Sequence, residues 1–354
     1  MLIIVYVVRT NSIVEIVKKL FYLVLICQNF FTLPALAMRT SFLFISFLNR
    51  ITASNTVIRM QRGTYRFPIQ FTDAGGDATV EGSGFLLPNE MHILLQRRPR
   101  DRIDGDSIQM QPRGILIGEY ALTLDLASIP DVRSGSVAAI GVGRSSQFAR
   151  RVPSFLLTPI SDTEDALVLN PSNPVEYAHE NRIFYTRSPA VNPLNPWSMR
   201  VLVRFAGNNS VTEAPTDADF IPCGFSTTGI ERMLLPRRLR ADFISLLSSI
   251  GISFSEEEAG NSLRLHDIDS VRLGTLPSVD IVIQNEDDDS QVHIGLLEPS
   301  HYLSRSQDAY EINFQRPFTA IGFMIPLSVV KDIVIHFDYE NNRIGFADPI
   351  VEIV

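Results

Sequence analysis

From Thr64 onward, short apolar runs alternate with turn-forming residues, and this punctuation constrains the fold more than any other feature of the chain. Runs at Thr64–Phe71, Phe85–Pro88, Met91–Gln96, Gly114–Leu126 and Ser136–Val142 read as strands. Met199–Phe205, Val279–Ile283, Val292–Leu297 and Ile333–Phe337 continue the series. Gly, Pro, Asn or Asp lies between most of them. The 22 Phe, 21 Pro and 20 Gly are spread along the chain, which favours many short strands over long helices. Spacing of this kind predicts an all-β sandwich or barrel. At 354 residues, 45% hydrophobic and 20% charged, the chain can bury a sizeable core.

One helix is well signalled. Pro236 suits a first turn, where its missing N–H costs little. Leu239, Phe243, Leu246, Leu247 and Ile250 then form a stripe at helical spacing, and Gly251 is a natural stop. A weaker short helix is expected within Ser145–Phe155. Near the C-terminus, Asp332–Phe337, the turn Glu340-Asn341-Asn342 and the returning Arg343–Ala347 predict a β-hairpin. Asn tolerates the positive φ that tight turns need.

Residues 1–54 differ from the rest. Lys18 and Lys19 precede the apolar Leu20–Phe31, and Ala35-Leu36-Ala37 has the form of a cleavage site, so the segment reads as a secretory leader. A second start at Met38, with a cut near Ala53-Ser54, gives the same reading. The alternative is an uncleaved membrane anchor, although Gln28, Asn29 and Pro34 interrupt the longest run. The net charge of −8 argues against a nucleic-acid partner. The arginine clusters at 97–102 and 237–240 lack interleaved aromatics and read as a solvated loop and a helix start. Of the two cysteines, Cys27 and Cys223, only the second remains if the leader is removed, so no internal disulfide is then possible.

Several segments carry a family resemblance. Val334-Ile335-His336-Phe337-Asp338 through Asn341-Asn342-Arg343-Ile344-Gly345-Phe346-Ala347 resembles the C-terminal hairpin of pepsin-like aspartic proteases. Ala320-Ile321-Gly322 is similar to the family's Ile-Leu-Gly-(Asp/Asn) strand, with Phe323 at the acidic or amide position. Ala138–Arg144 resembles the matching strand of the first lobe. Ser154–Pro159 is similar to the plant nepenthesin-like branch and its xylanase-inhibitor relatives. Gly114–Tyr120 resembles the strand after the flap. The resemblance spans roughly residues 63–350. It implies a mostly β, bilobal acid-protease fold with a few short helices, an N-terminal lobe at 55–180 and a C-terminal lobe at 181–354. It also implies secretory-route localisation, a monomer and no cofactor.

That family's chemistry needs two carboxylates close enough to share a proton, one in each lobe's Asp-(Thr/Ser)-Gly loop. No such tripeptide occurs in this chain. By the resemblance, Glu81 falls at the first Asp, followed by Gly82, Ser83 and Gly84. Glu is a methylene longer, and misplacement by about 1 Å can cost 100-fold. Cys223 falls at the second Asp, followed by Gly224, Phe225, Ser226 and Thr227. A thiol does not share a proton as a carboxylate does, and as a nucleophile it would need a nearby His. Ser107 stands where the flap tyrosine is expected, and little room for a pro-segment lies between Ala37 and Gly63. The acidic run Glu286–Asp289 reads as a solvated hairpin tip, and Asn208-Asn209-Ser210 is a glycosylation sequon. The expected function is a pseudoprotease that binds a peptide or protein between its lobes. The alternative is a divergent endopeptidase that pairs Glu81 with another carboxylate, such as Asp217 or Asp219.

Overall fold

Alternation builds the first sheet. In strand β2 (Arg66–Thr72), Phe67, Ile69 and Phe71 point inward while Arg66, Pro68 and Gln70 face out. A computed structural model of the protein describes residues 56–350, apart from 63–64, 74–78, 88–92, 97–111, 125–131, 133, 144–145, 188–196, 206–218, 227–232, 258–259, 267–272, 307–308 and 315–322. The chain divides between Ser54 and Asn55, and everything described belongs to the part beginning at Asn55. The described residues are mostly strand. Ser107, Asn208, Asp217, Thr227, the leader and the 97–102 arginine cluster lie outside them.

The first half contains β1 (Thr56–Gln61), β2, β3 (Thr79–Leu87), β4 (Ile93–Gln96), β5 (Gly114–Ile117), β6 (Tyr120–Thr123) and β7 (Ser136–Gly141). Helix α1 (Gln147–Arg151) and the hairpin β8 (Ser154–Pro159) and β9 (Glu164–Leu169) complete it. The second half opens with β10 (Phe184–Arg187), β11 (Met199–Phe205) and β12 (Phe220–Ser226), followed by α2 (Arg240–Ser249), β13 (Ser253–Glu257) and β14 (Ser262–His266). It continues through β15 (Val279–Gln284), β16 (Gln291–Leu297), α3 (Pro299–Tyr302), β17 (Leu303–Ser306) and β18 (Ala309–Asn313). It closes with β19 (Phe323–Pro326), β20 (Val334–Asp338) and β21 (Arg343–Ala347).

The two halves repeat one plan. In each, a hairpin (β2–β3, then β11–β12) is followed much later by a strand that pairs in parallel with the hairpin's second member, β7 with β3 and β19 with β12. In each, another hairpin then enters a six-stranded sheet of order β1-β9-β8-β20-β21-β10. That sheet is symmetric in its membership: β8 and β20 meet at its centre, with Phe155 opposite Phe337. The halves also exchange matched hydrogen bonds. Tyr65, just before β2, donates its hydroxyl to the carbonyl of Leu327, just after β19, at 2.7 Å. Trp197, just before β11, donates its indole N–H to the carbonyl of Val142, just after β7, at 2.8 Å. The Phe155 and Phe337 rings stack at 4.5 Å within one apolar cluster that draws on both halves.

Several expectations needed adjustment. Gly114–Leu126 is not one strand: Gly118, at φ +58°, turns it into the β5–β6 hairpin. The helix expected in Ser145–Phe155 is only the short α1, capped by Ser146 Oγ accepting from the Ala149 N–H, because Ser154 already begins β8. The second helix matches its stripe at Leu239, Phe243 and Leu247, but Ile250 ends up 42% exposed because the chain turns away at Gly251, φ +71°. The C-terminal hairpin forms as expected, with Asn342 at φ +54° in its turn.

Candidate functional site

Glu81 lies in the body of β3 rather than in a loop. It stands opposite Gln70 and its carbonyl accepts from the Gly135 N–H at 2.9 Å. Its side chain is exposed. The small residues after it answer to packing. A Cβ on Gly82 would come within 2.4 Å of the Phe71 ring and 2.6 Å of the Ser136 carbonyl oxygen. One on Gly84 would meet Ile69 at 2.9 Å and Phe67 at 3.0 Å. Ser83 pairs with Pro68 on one side and Val137 on the other. The parallel return of β7 against β3 therefore needs both glycines, because its backbone and the β2 aromatics occupy the space a side chain would take.

Cys223 is in a different setting. It is 1% exposed in the centre of β12, paired with Met199 on one side and in parallel with Phe323 on the other. Met199 and Phe225 are both fully buried, and Phe323 is 1% exposed. Phe225 packs edge-on against Phe337 at 5.7 Å and tilted against Phe346 at 6.3 Å. Burial pushes the thiol well above its ordinary pKa, opposed by a backbone hydrogen bond from Ile325, so the group is a neutral thiol at physiological pH. Its S–H donates to the Gly224 carbonyl at 3.4 Å. Gly224 and Ser226 continue the parallel pairing against Met324 and Pro326. Asp219 precedes this strand, and its backbone carbonyl accepts from Arg238.

Among the described residues, no His or carboxylate is hydrogen-bonded to Cys223. A neutral, desolvated thiol among aromatic side chains is chemically inert. No group of three or more His, Cys, Asp or Glu suited to a metal occurs among the described residues. The buried titratable cluster lies elsewhere, where β10, β20 and β21 adjoin. Tyr185 Oη and His336 Nδ1 share a hydrogen bond of 2.9 Å. Arg343 lies 3.8 Å over the Tyr185 ring and bonds Asp338 at 3.0 Å and Glu286 at 3.1 Å. Sequence reasoning missed this cluster, since its members come from distant strands, Tyr185 and His336 alone lying 151 residues apart. Its one available signal was the unusual His336 and Asp338 within an otherwise apolar strand.

No known protein family's profile matches the chain. No curated protein matches it either.

Proposed function

We propose that residues 55–354 form a two-lobed, pepsin-like domain whose catalytic dyad has been dismantled, and that the protein binds a peptide or protein between its lobes without cutting it. One observation carries the reading: Cys223 and Phe323 face each other, both buried, where the resemblance calls for a carboxylate and its acidic or amide neighbour. The repeated hairpin-and-parallel-return plan and the reciprocal Tyr65 and Trp197 bonds support a two-lobed ancestry. The exposed Glu81 and the buried Cys223 occupy unlike environments, and a proton-sharing pair requires like ones.

The test is incubation of the purified protein with a denatured protein substrate at acidic pH. No cleavage above a buffer control is expected. Cleavage that Glu81→Gln abolishes would establish a divergent endopeptidase instead.

A further inference from the structure

The buried histidine of β20 is held by a strand at the margin of its sheet. His336, Gly345 and Tyr185 stand side by side across β20, β21 and β10. Gly345 contributes no side chain, and a Cβ there would come within 2.6 Å of the Tyr185 ring. That space lets the tyrosine reach across β21 and share its 2.9 Å hydrogen bond with His336 Nδ1. The other ring nitrogen, Nε2, is buried with no hydrogen-bond partner among the described residues. Strand β10 is the last of its sheet, and its 4 residues pair with β21 alone. By contrast, β20 is paired on both sides, with β8 and β21.

The surroundings favour a neutral ring. On β8 the residue opposite His336 is the apolar Leu156, and from β21 it meets Gly345 and the cation Arg343. The Asp338 carboxylate on its own strand favours the charged form, but it already accepts from Asn341 and Arg343. Glu286, from the turn between β15 and β16, is bonded to Arg343, and Asp287 of the same turn acts on Tyr185. An imidazolium here therefore carries an N–H at Nε2 that nothing accepts, in a place closed to water. Lifting β10 withdraws Tyr185 and hydrates the ring at the cost of one short ladder, whereas lifting an inner strand breaks two.

We propose that β10 is an acid-released strand: proton uptake at His336 opens the β10–β21 ladder, together with the bond from the Glu286 N–H to the Tyr185 carbonyl, while the rest of the six-stranded sheet stays paired. Burial holds the closed ring down at about pKa 4, whereas a hydrated histidine titrates near 6.5. The open form therefore binds more protons between those values. Its population grows by up to about tenfold per unit as pH falls from about 6.5 to 4. The opening is local, distinct from a loss of global stability, and it holds whatever lies between the lobes.

The experiment is native-state hydrogen exchange of the purified protein, read by NMR in low urea between about pH 6.5 and 4.5. In the β10–β21 ladder and at the Glu286 amide, protection factors corrected for intrinsic rates should fall by up to about tenfold per pH unit, with a small urea slope. The β8–β20 ladder should exchange only through the global route, with a steep urea slope. His336→Gln should abolish the pH dependence of the β10 ladder. Tyr185→Phe, which keeps the titrating ring, should lower that ladder's protection at every pH and retain the slope. If the glutamine variant does not fold, imidazole NMR of the wild-type protein takes its place, and proton uptake at His336 must coincide with the loss of β10 protection. Equal urea slopes in the two ladders, a β10 ladder indifferent to pH, or a pH slope that survives His336→Gln would each overturn the proposal.

Discussion

Cys223 combines three constraints in one side chain: it is small, it is neutral, and it faces a closed aromatic environment of Phe225 and Phe323. Replacing it with Asp puts a carboxyl where no water reaches. The substitution should destabilise the fold by about 3 kcal/mol or more at neutral pH, because a lone buried carboxylate pays its desolvation without a partner. Urea unfolding should show a smaller loss near pH 4, where the carboxyl stays protonated, and no proteolytic activity should return. An equally stable variant would mean that a polar partner waits at this position. The inertness of Cys223 was legible in the sequence, because Ile-Pro-Cys-Gly-Phe is an apolar context with no adjacent His. What was not legible is that Glu81 sits in a paired strand rather than a loop. Parallel pairing between β3 and β7 joins residues 54 apart, such as Gly82 and Ser136, and leaves no local signature.

At the scale of elements, the central sheet has a built-in acid sensitivity. Burial holds His336 down at about pKa 4, partly offset by Asp338 beside it, while its other face meets Tyr185. The groups facing it are Tyr185 from β10, Asp338 on its own strand and Arg343 from β21. His336 is neutral in the folded protein, whereas in the unfolded chain it takes up a proton near pH 6.5. The unfolded state therefore binds more protons between those values, and stability declines as pH falls from about 6.5 to 4. The expected loss is about 2–3 kcal/mol. Asp338 acts in the same direction at lower pH, once the pH falls below the ordinary carboxylate value of about 4. Although its burial opposes ionisation, hydrogen bonds from Asn341 and Arg343 hold its pKa below the ordinary value, and that stabilisation is lost on acidification. Chemical unfolding across this range should show the decline, and His336→Gln should flatten it. A pH-independent wild type would contradict the buried, neutral His336. The hairpin that carries these residues was the most legible element of all, because its turn and its two apolar runs lie within a few residues of one another. Strands β13 and β17 were not, since Ser253–Glu257 and Leu303–Ser306 are mostly polar, each with one apolar residue, Phe254 or Leu303, against the core, and are placed by pairing with β14 and β18.

For the whole molecule, the internal repeat explains how two similar halves become one structure. Each half contributes a hairpin to the shared sheet and aromatic donors to a carbonyl of the other, Tyr65 to Leu327, and Trp197 and Tyr339 to Val142. The mostly β architecture followed from the punctuation of the sequence. The repeat did not, because corresponding segments such as Ser136–Gly141 and Phe323–Pro326 share topology more than residues. The account depends on Cys223 being sealed inside the second half. Alkylation of the native protein at pH 8, mapped by mass spectrometry to the peptide containing Cys223, tests this directly. The thiol should remain unlabelled over hours in buffer and react fully in denaturant. Rapid labelling of the folded protein at Cys223 would show an open, reactive site and contradict the account.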